Sequence, residues 1–250
     1  MTVAACAELV QRGDPDRFLA VMAAPVEARA QLLPLYAFNL EVARAPWVTQ
    51  EPLIAEMRLQ WWRDVVDNAA SGAARAHEVA GPLHDLIRDF GLPVAVLDRL
   101  IAARRWDVHS DPHDGAEGLA TYLEDTGAGL MWLAARALGA PDGAEAAVRA
   151  YGWATAAAMY IRAVPELAAR GRQPLPDGFA AEDLARHGLE KLAEARAARK
   201  AVPKEVSSAL LAGWQTEGIL HQAVAGRSSP GLSEAKKRWQ LLWQGFTGRW

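Results

Sequence analysis

Apolar residues recur along most of this chain at intervals of three and four positions, which places them on one face of an α-helix. Between Pro25 and Ala45, for example, Leu32, Leu35 and Tyr36 share the inner side of such a helix. Runs that alternate apolar and polar residues between turn signals, as strands do, are almost absent. The pattern therefore predicts an all-α protein.

The same spacing predicts helices along the rest of the chain, with glycine or proline near many of their ends. The predicted helices cover about 25–45, 51–66, 79–90, 93–109, 116–139, 144–169, 180–200, 203–225 and 231–247. Gly127 and Gly129 each cost helix stability, roughly 1 kcal/mol, which indicates a kink or a close contact with another helix. Pro165 predicts a kink near residues 161–165.

Composition narrows the class of protein. The chain has 250 residues, of which 51% are hydrophobic and 23% charged, so disordered and fibrous classes are excluded. Ten tryptophans and abundant alanine favour closely packed helices with a few bulky side chains between them. Neither an internal repeat nor a long linker is visible, so we expect a single domain over residues 1–250.

Charge is distributed unevenly, although the net charge of −3 gives no indication of a nucleic-acid-binding protein. Residues 191–250 hold ten Lys or Arg against four Asp or Glu, a net charge of +6, whereas residues 1–190 carry −9. This basic helical tail suits an acidic protein partner or anionic lipid headgroups. Ordinary solvated helix faces are the more common cause of such a pattern.

Several features bear on location. The segment from Met1 to Pro15 lacks a basic region followed by an apolar stretch, so no secretory signal is expected. The longest apolar run, from Tyr151 to Ile161, is well short of the about 20 residues that a transmembrane helix needs. We therefore predict a cytoplasmic protein without a transmembrane segment, either free or peripheral to a membrane.

The polar clusters give little support for a metal site. A loop predicted at 110–115 and the residue before it carry four ligand-type side chains: His109, Asp111, His113 and Asp114. Such a loop lacks the fixed geometry of a helical histidine pair, so no metal is predicted there. The single cysteine, Cys6, excludes a disulfide within the chain. Asp14 and Asp16 are interpreted as a helix N-cap and first turn.

Three segments carry distinctive residue patterns. They read Arg29-Ala-Gln-Leu-Leu-Pro-Leu-Tyr-Ala-Phe-Asn-Leu-Glu-Val-Ala-Arg44 with Arg58-Leu-Gln-Trp-Trp-Arg-Asp64, then Tyr122-Leu-Glu-Asp-Thr-Gly-Ala-Gly-Leu-Met131, then Ile161-Arg-Ala-Val-Pro-Glu-Leu-Ala-Ala-Arg-Gly-Arg-Gln-Pro-Leu-Pro176. In this order, from about Asp14 to Pro176, they resemble the squalene/phytoene synthase family. The resemblance implies a prenyl-synthase-like (isoprenoid synthase) helical bundle around a central cavity.

Active members of that family join two prenyl diphosphates and need two Asp-rich DxxxD motifs. Carboxylates four positions apart lie on one face of a helix. Facing pairs hold Mg²⁺ ions, which bind the diphosphate oxygens and stabilise the leaving group.

This sequence departs from the family at those motifs. The acidic positions of the first motif fall on Ala43, Arg44 and Trp47, and those of the second fall on Ala163 and Leu167. One remaining carboxylate, Glu166, cannot replace two facing clusters, and Arg44 places a cation where a metal would bind. We therefore expect Mg²⁺-dependent prenyl transfer to be lost, with no metal and no cofactor.

The altered pattern is similar to the non-catalytic branch of the family, which includes a mitochondrial complex I assembly factor. That resemblance implies a binding or assembly role with a protein partner at a membrane-associated complex, or an isoprenoid-like ligand held in a retained cavity. The alternative is a divergent prenyltransferase that handles prenyl diphosphates with arginine clusters, with Mg²⁺ only in that case.

The candidate pocket residues follow from the retained and substituted positions. They are Tyr36, Arg44, Arg58, Arg162, Glu166, Arg170 and Arg172. The arginines form either a metal-free anion pocket or structural ion pairs with Glu41 and Glu166. In a closed cavity, Leu40, Met159 and Leu167 are the residues predicted to fill the space. Trp61 and Trp62 are interpreted as core residues, because adjacent helical positions point about 100° apart.

Overall fold

The protein is described from a computed structural model, which covers residues 3–69, 72–109, 111–227 and 230–250. Ser110, at the start of the predicted loop, and Met1, at the start of the N-terminal segment, lie outside this part of the chain. Within the described residues every regular element is helical, as the apolar spacing predicts.

Nine of the α-helices in the described residues lie before residue 140. They are α1 (Val3–Gly13), α2 (Pro15–Ala23), α3 (Val26–Arg44), α4 (Pro52–Asn68), α5 (Ala80–Phe90), α6 (Val94–Ala103), α7 (Arg105–Val108), α8 (Gly115–Leu123) and α9 (Gly129–Ala137). The Asp14 side chain caps α2 by accepting the backbone N–H of Arg17 at 3.0 Å, which confirms the predicted N-cap. Pro34 lies inside α3, which nevertheless continues to Arg44.

Five helices make up the rest. They are α10 (Glu145–Ala169), α11 (Ala181–Ala197), α12 (Ser207–Leu210), α13 (Thr216–Val224) and α14 (Glu234–Thr247). The prediction of one helix over 203–225 is wrong, because 3₁₀ turns at Lys204–Val206 and Leu211–Gly213 divide that segment. The helix predicted over 93–109 also divides, between α6 and α7. α10 remains α-helical through Pro165.

A five-residue π-helical turn, Glu124–Ala128, joins α8 to α9. Gly127 of this turn lies so close to α10 that a methyl group added there would overlap Ala156. Gly152 of α10 is equally confined, since its Cβ would lie 2.8 Å from the Cα of Ala128. The predicted close helix contact at this segment is confirmed.

α10 is the centre of the molecule and packs against α9, α11, α13 and the π-helical turn. Its alanines and glycine let these neighbours approach closely, and the buried apolar side chains form one continuous core from Cys6 to Trp250. Trp62 is buried and Trp61 is partly exposed, as predicted for adjacent helical positions. Within the described residues no helix is both long and apolar enough to cross a membrane.

Candidate functional site

A cavity of about 650 Å³ opens between α3, α9, α10 and the π-helical turn. Its wall is mostly apolar, with glycines and alanines where helices approach and larger side chains between them. The larger apolar residues of the wall are Trp47, Leu123, Leu130, Met131, Met159 and Leu167. Of the residues predicted to fill it, Met159 and Leu167 only line the open space. Leu40 packs against Gly13 of α1 instead, so its prediction as filling is wrong.

The partly exposed part of the wall, here called the rim, consists of Arg44, Trp47, Glu166 and Arg170. Arg170 donates a hydrogen bond to Glu166 at 2.5 Å, and its guanidinium lies 4.9 Å from the centre of the Trp47 ring. Arg44 lies 3.5 Å from Glu41, one helical turn away. These are the ion pairs foreseen as the structural alternative, and their exposure keeps each of them weak.

The buried part of the wall, here called the floor, is a network of Arg104, Asp107 and Tyr122. Arg104 donates to the Asp107 carboxylate at 3.2 Å and to the Tyr122 hydroxyl at 2.7 Å, and that hydroxyl donates to Asp107 at 3.0 Å. Burial opposes the charge on Arg104, but Tyr122 and Asp107 outweigh it and raise its pKa. Burial also raises the pKa of Tyr122. The floor is therefore a mutually hydrogen-bonded charge pair, in which the buried Nε of Arg104 has no partner among the described residues.

Tyr36 lies in the wall as well, on α3. Burial raises the pKa of its hydroxyl to about 12; the Arg17 guanidinium, 5.0 Å from the ring centre, partly opposes that effect. The phenol therefore stays neutral at physiological pH. It can offer a hydrogen bond to a ligand but not a negative charge.

Asn39 of α3 is the one residue of the described wall whose side-chain oxygen is buried without a hydrogen-bond partner. The residue is only 6% exposed. A buried amide oxygen left unpaired costs about 1–3 kcal/mol, so its presence in a cavity wall favours a donor from a bound molecule.

The positions of the two degenerate motifs do meet in space. Ala43, Arg44 and Trp47 from α3 and the following turn line the same cavity as Ala163 and Leu167 from α10. The carboxylates of the described wall are Asp107 and Glu166, and each is bound by an arginine. Mg²⁺ requires several oxygen ligands that are free to coordinate. The side chains present therefore do not fit a pair of Mg²⁺ ions.

Three of the sequence candidates lie outside the described wall. Arg58 is exposed on α4, and its selection as a pocket residue is not supported, since its helical position faces solvent. Arg162 is not part of the described wall; it lies beside the cavity-lining Met159 and 3.5 Å from Asp16 of α2. Arg172 donates to the backbone carbonyls of Trp106, Asp107 and His109 and so ties the end of α10 to α7.

The buried aromatic cluster behind the floor is absent from the sequence predictions. His113 stacks on Trp106 with ring centres 3.9 Å apart, and its Nε2 lies 2.9 Å from the Tyr160 hydroxyl. Burial lowers the pKa of His113 to about 4. Its only signal in the sequence is the cluster of polar residues at 109–114. No group of three or more potential metal ligands occurs among the described residues.

These features define a class of protein: an all-helical bundle around an open cavity with a cationic rim, at the place where a prenyl synthase would hold its metal ions. The squalene/phytoene synthase family model matches residues 10–228, and the chain belongs to that family.

Solved structures with the same fold include a dehydrosqualene synthase in complex with ligand. Its TM-score is 0.79 at 14% identity, over 98% of this chain and 95% of that one. Squalene synthase HpnC from Alicyclobacillus acidocaldarius gives a TM-score of 0.76 at 18% identity, over 92% of this chain and 95% of that one. At these identities the likeness is one of fold.

The curated relatives that match the chain are named as assembly factors, whereas the solved structures above are synthases. Complex I assembly factor 6 from Bos taurus is 28% identical over 193 residues, which is 74% of this chain and 58% of that protein. The Drosophila melanogaster homologue is 32% identical over 194 residues, 74% of this chain and 56% of that protein. The chain thus spans somewhat more than half the length of these relatives.

Proposed function

We propose that this protein is a catalytically inactive member of the squalene/phytoene synthase family that acts by binding, as an assembly factor for a membrane-associated respiratory complex. The observation that carries this proposal is the replacement of acidic positions in both facing motifs by Ala43, Arg44, Trp47, Ala163 and Leu167, all in the cavity wall. The names of the curated relatives support the choice of complex I as the partner.

The physical reason for inactivity is the absence of a place for metal-bound diphosphate. Departure of diphosphate builds up negative charge, which the family's metal ions neutralise. In this chain the two wall carboxylates, Asp107 and Glu166, are already held by Arg104 and Arg170. The rim arginines can attract an anion, but they supply no metal bridge to the leaving group.

A turnover assay tests the inactivity. The purified chain is incubated with farnesyl diphosphate and Mg²⁺, beside an active squalene synthase, and diphosphate release is measured. We expect release only from the active enzyme. Mg²⁺-dependent release by this chain, abolished by substitution of Tyr36 or Arg170, would instead support the divergent prenyltransferase.

Deletion of the gene tests the assembly role. We expect lower NADH oxidation and less assembled complex I in membranes, with unchanged isoprenoid lipids. A normal NADH oxidation rate with altered isoprenoid lipids would contradict the proposal. With this function we also propose that the protein acts at a membrane surface, as a peripheral component.

The open cavity favours a second, compatible function, which is to hold an isoprenoid-like ligand. The wall combines an apolar interior with the arginine rim and the unpartnered amide oxygen of Asn39. Calorimetry with geranylgeranyl diphosphate tests it. Arg170→Ala should weaken binding several-fold, whereas Arg186→Ala, which breaks a similar exposed helical pair with Asp183, should not. Absence of binding by the unaltered chain would contradict this ligand-binding function.

A further inference from the structure

Helix α14 leaves an apolar stripe in water. The stripe consists of Trp239, Leu242, Trp243 and Phe246, which are 66%, 69%, 52% and 91% exposed. The spacing of three and four residues puts all four on one side of the helix, within an arc of about 100°. The rings of Trp239 and Trp243 lie 6.5 Å apart in a nearly parallel arrangement.

The opposite side of α14 is what attaches the helix to the body. Lys237 lies 3.5 Å from Asp16 of α2, and Leu241 is buried against the core. Beyond the helix, Arg199 donates to the carbonyl of Gly248 at 2.5 Å, and Trp250 is buried. The fold therefore positions α14 without using the stripe. Packing of the fold does not explain why four large apolar side chains lie in water there.

Basic side chains border the stripe on both sides. Lys236 and Arg238 are exposed and lie about 60° and 100° from Trp239 around the helix, in opposite directions. Among the described residues neither has a carboxylate within salt-bridge distance, whereas Lys237, on the inner side, has two. Glu234, the acidic residue of α14, is one of the two carboxylates near Lys237 and lies in the first turn of the helix.

The distribution of charge along the whole chain also favours an anionic surface at the α14 end. Residues 191–250, which include α14, carry a net charge of +6, and the remainder carries −9. An anionic surface would attract the α14 end and repel the rest, so that the stripe faces the surface. The exposed apolar residues of α4 (Leu53, Ile54 and Met57) differ in this respect, since their charged neighbours in sequence are two carboxylates and one cation, Glu51, Glu56 and Arg58.

We propose that the α14 stripe is a docking surface for an anionic phospholipid bilayer, with Trp239, Trp243 and Phe246 in the headgroup region and Lys236 and Arg238 on lipid phosphates. Amphipathic helices with aromatic residues on one face and cations beside them lie in the bilayer interface in this way. A helix of 14 residues is about 21 Å long, too short to span the about 30 Å core. The surface itself does not depend on the proposed assembly role.

Sedimentation of the full-length chain with lipid vesicles tests this proposal. We expect binding to vesicles of phosphatidylglycerol mixed with phosphatidylcholine, and little to phosphatidylcholine alone. Trp243→Ser with Phe246→Ser should weaken binding at least tenfold. Lys236→Glu with Arg238→Glu should weaken binding by at least about fivefold for each of the two substitutions. Circular dichroism checks that each variant is folded.

Matched variants make the test specific. Leu53→Ser with Met57→Ser removes two exposed apolar residues from α4, and Arg88→Glu with Arg186→Glu makes the same change in net charge elsewhere; both should bind as the unaltered chain does. Failure of the unaltered chain to bind anionic vesicles would overturn the proposal and assign the stripe to a protein partner. Equal binding to neutral vesicles, or equal loss in the control variants, would also overturn it. Because only purified chain and lipid are used, the outcome is independent of the deletion experiment.

Discussion

Arginine side chains around the cavity show how burial decides what one residue type does. Arg104 is largely buried and bonded to both Asp107 and Tyr122, so removing Asp107 would leave its charge without compensation. Arg170 forms a shorter pair with Glu166, at 2.5 Å against 3.2 Å, but both of its side chains are largely exposed, and such pairs contribute about 0–1 kcal/mol. The floor is thus structural, and the rim arginines stay available to a ligand.

His113 makes stability depend on pH. Its ring is buried against Trp106, and burial lowers its pKa to about 4, so the folded protein keeps it neutral. The Tyr160 hydroxyl donates to the carbonyl of Pro174, and its oxygen is therefore left to accept from His113 Nε2. In the unfolded chain the ring takes up a proton below about pH 6.5. The stabilisation is therefore present above that pH and is lost as the pH falls towards 4.

We predict that His113→Phe makes this pH dependence shallower. Between pH 6.5 and 4, the unaltered chain should lose about 2 kcal/mol more of its free energy of unfolding than the variant does. Urea denaturation at a series of pH values measures the difference. His187→Phe, at an exposed position, serves as the control and should keep the original slope. Parallel curves for His113→Phe and the unaltered chain would refute the prediction.

At the scale of elements, the π-helical turn shapes both the packing and the cavity. The turn brings Thr126 and Gly127 into the cavity wall. It also lets the chain approach α10 without side chains between them, since Gly127 faces Ala156 and Gly152 faces Ala128. The two glycines thus serve tertiary contact at the expense of helix propensity.

We predict that Gly127→Ala destabilises the fold, although alanine is intrinsically the better helix former. The added methyl group would overlap Ala156, which should cost about 1–3 kcal/mol of the free energy of unfolding. Thermal or urea unfolding provides the measurement. Gly143→Ala is the control, because no atom lies within 4 Å of its added Cβ, and it should change stability by less than about 1 kcal/mol. Unchanged stability of Gly127→Ala would show that the two helices can separate freely.

At the scale of the whole molecule, the end of the described chain returns to the centre. Trp250 is 6% exposed and packs on Tyr151 of α10, with ring centres 4.9 Å apart. The guanidinium of Arg199, which follows α11, lies over the Trp250 ring, 5.4 Å from its centre. These contacts anchor the basic tail to the acidic body and leave the outer side of α14 exposed.

We predict that two tryptophans of this tail differ in how much they contribute to stability. Trp250→Ala should cost about 3–5 kcal/mol of the free energy of unfolding, because it removes a large buried side chain. Trp243→Ala should change stability by no more than about 0.5 kcal/mol, because the ring is half exposed. Denaturation of both variants compares them directly. Similar losses in the two would mean that the stripe also supports the fold.

The helices were predictable where the apolar spacing is strong and helix-stopping residues are clear. The bounds of α3 and α10 follow from the sequence within about a residue, because Pro25 and Gly171 mark the ends of those patterns. The division of the segment at 203–225 was not predictable, because its apolar residues continue through turns that pack against α2, α9 and α10. Local spacing cannot register such contacts.

The sequence by itself determined which residues occupy the former metal positions. Ala43, Trp47, Ala163 and Leu167 carry no carboxylate in any conformation, so the loss of two facing Asp-rich motifs required no coordinates. It determined equally that residues 191–250 carry a net positive charge and the remainder a net negative one. Both are properties of residue type and position, which folding does not change.

Only the tertiary structure decided that the cavity is open and that its floor is a hydrogen-bonded network of Arg104, Asp107 and Tyr122. It also decided that α14 turns its apolar stripe outward, although the same spacing is typical of a buried helix face. The physical reason is the same in each case. Burial and pairing are set by which distant segments pack together, and the packing of distant segments is a property of the whole fold.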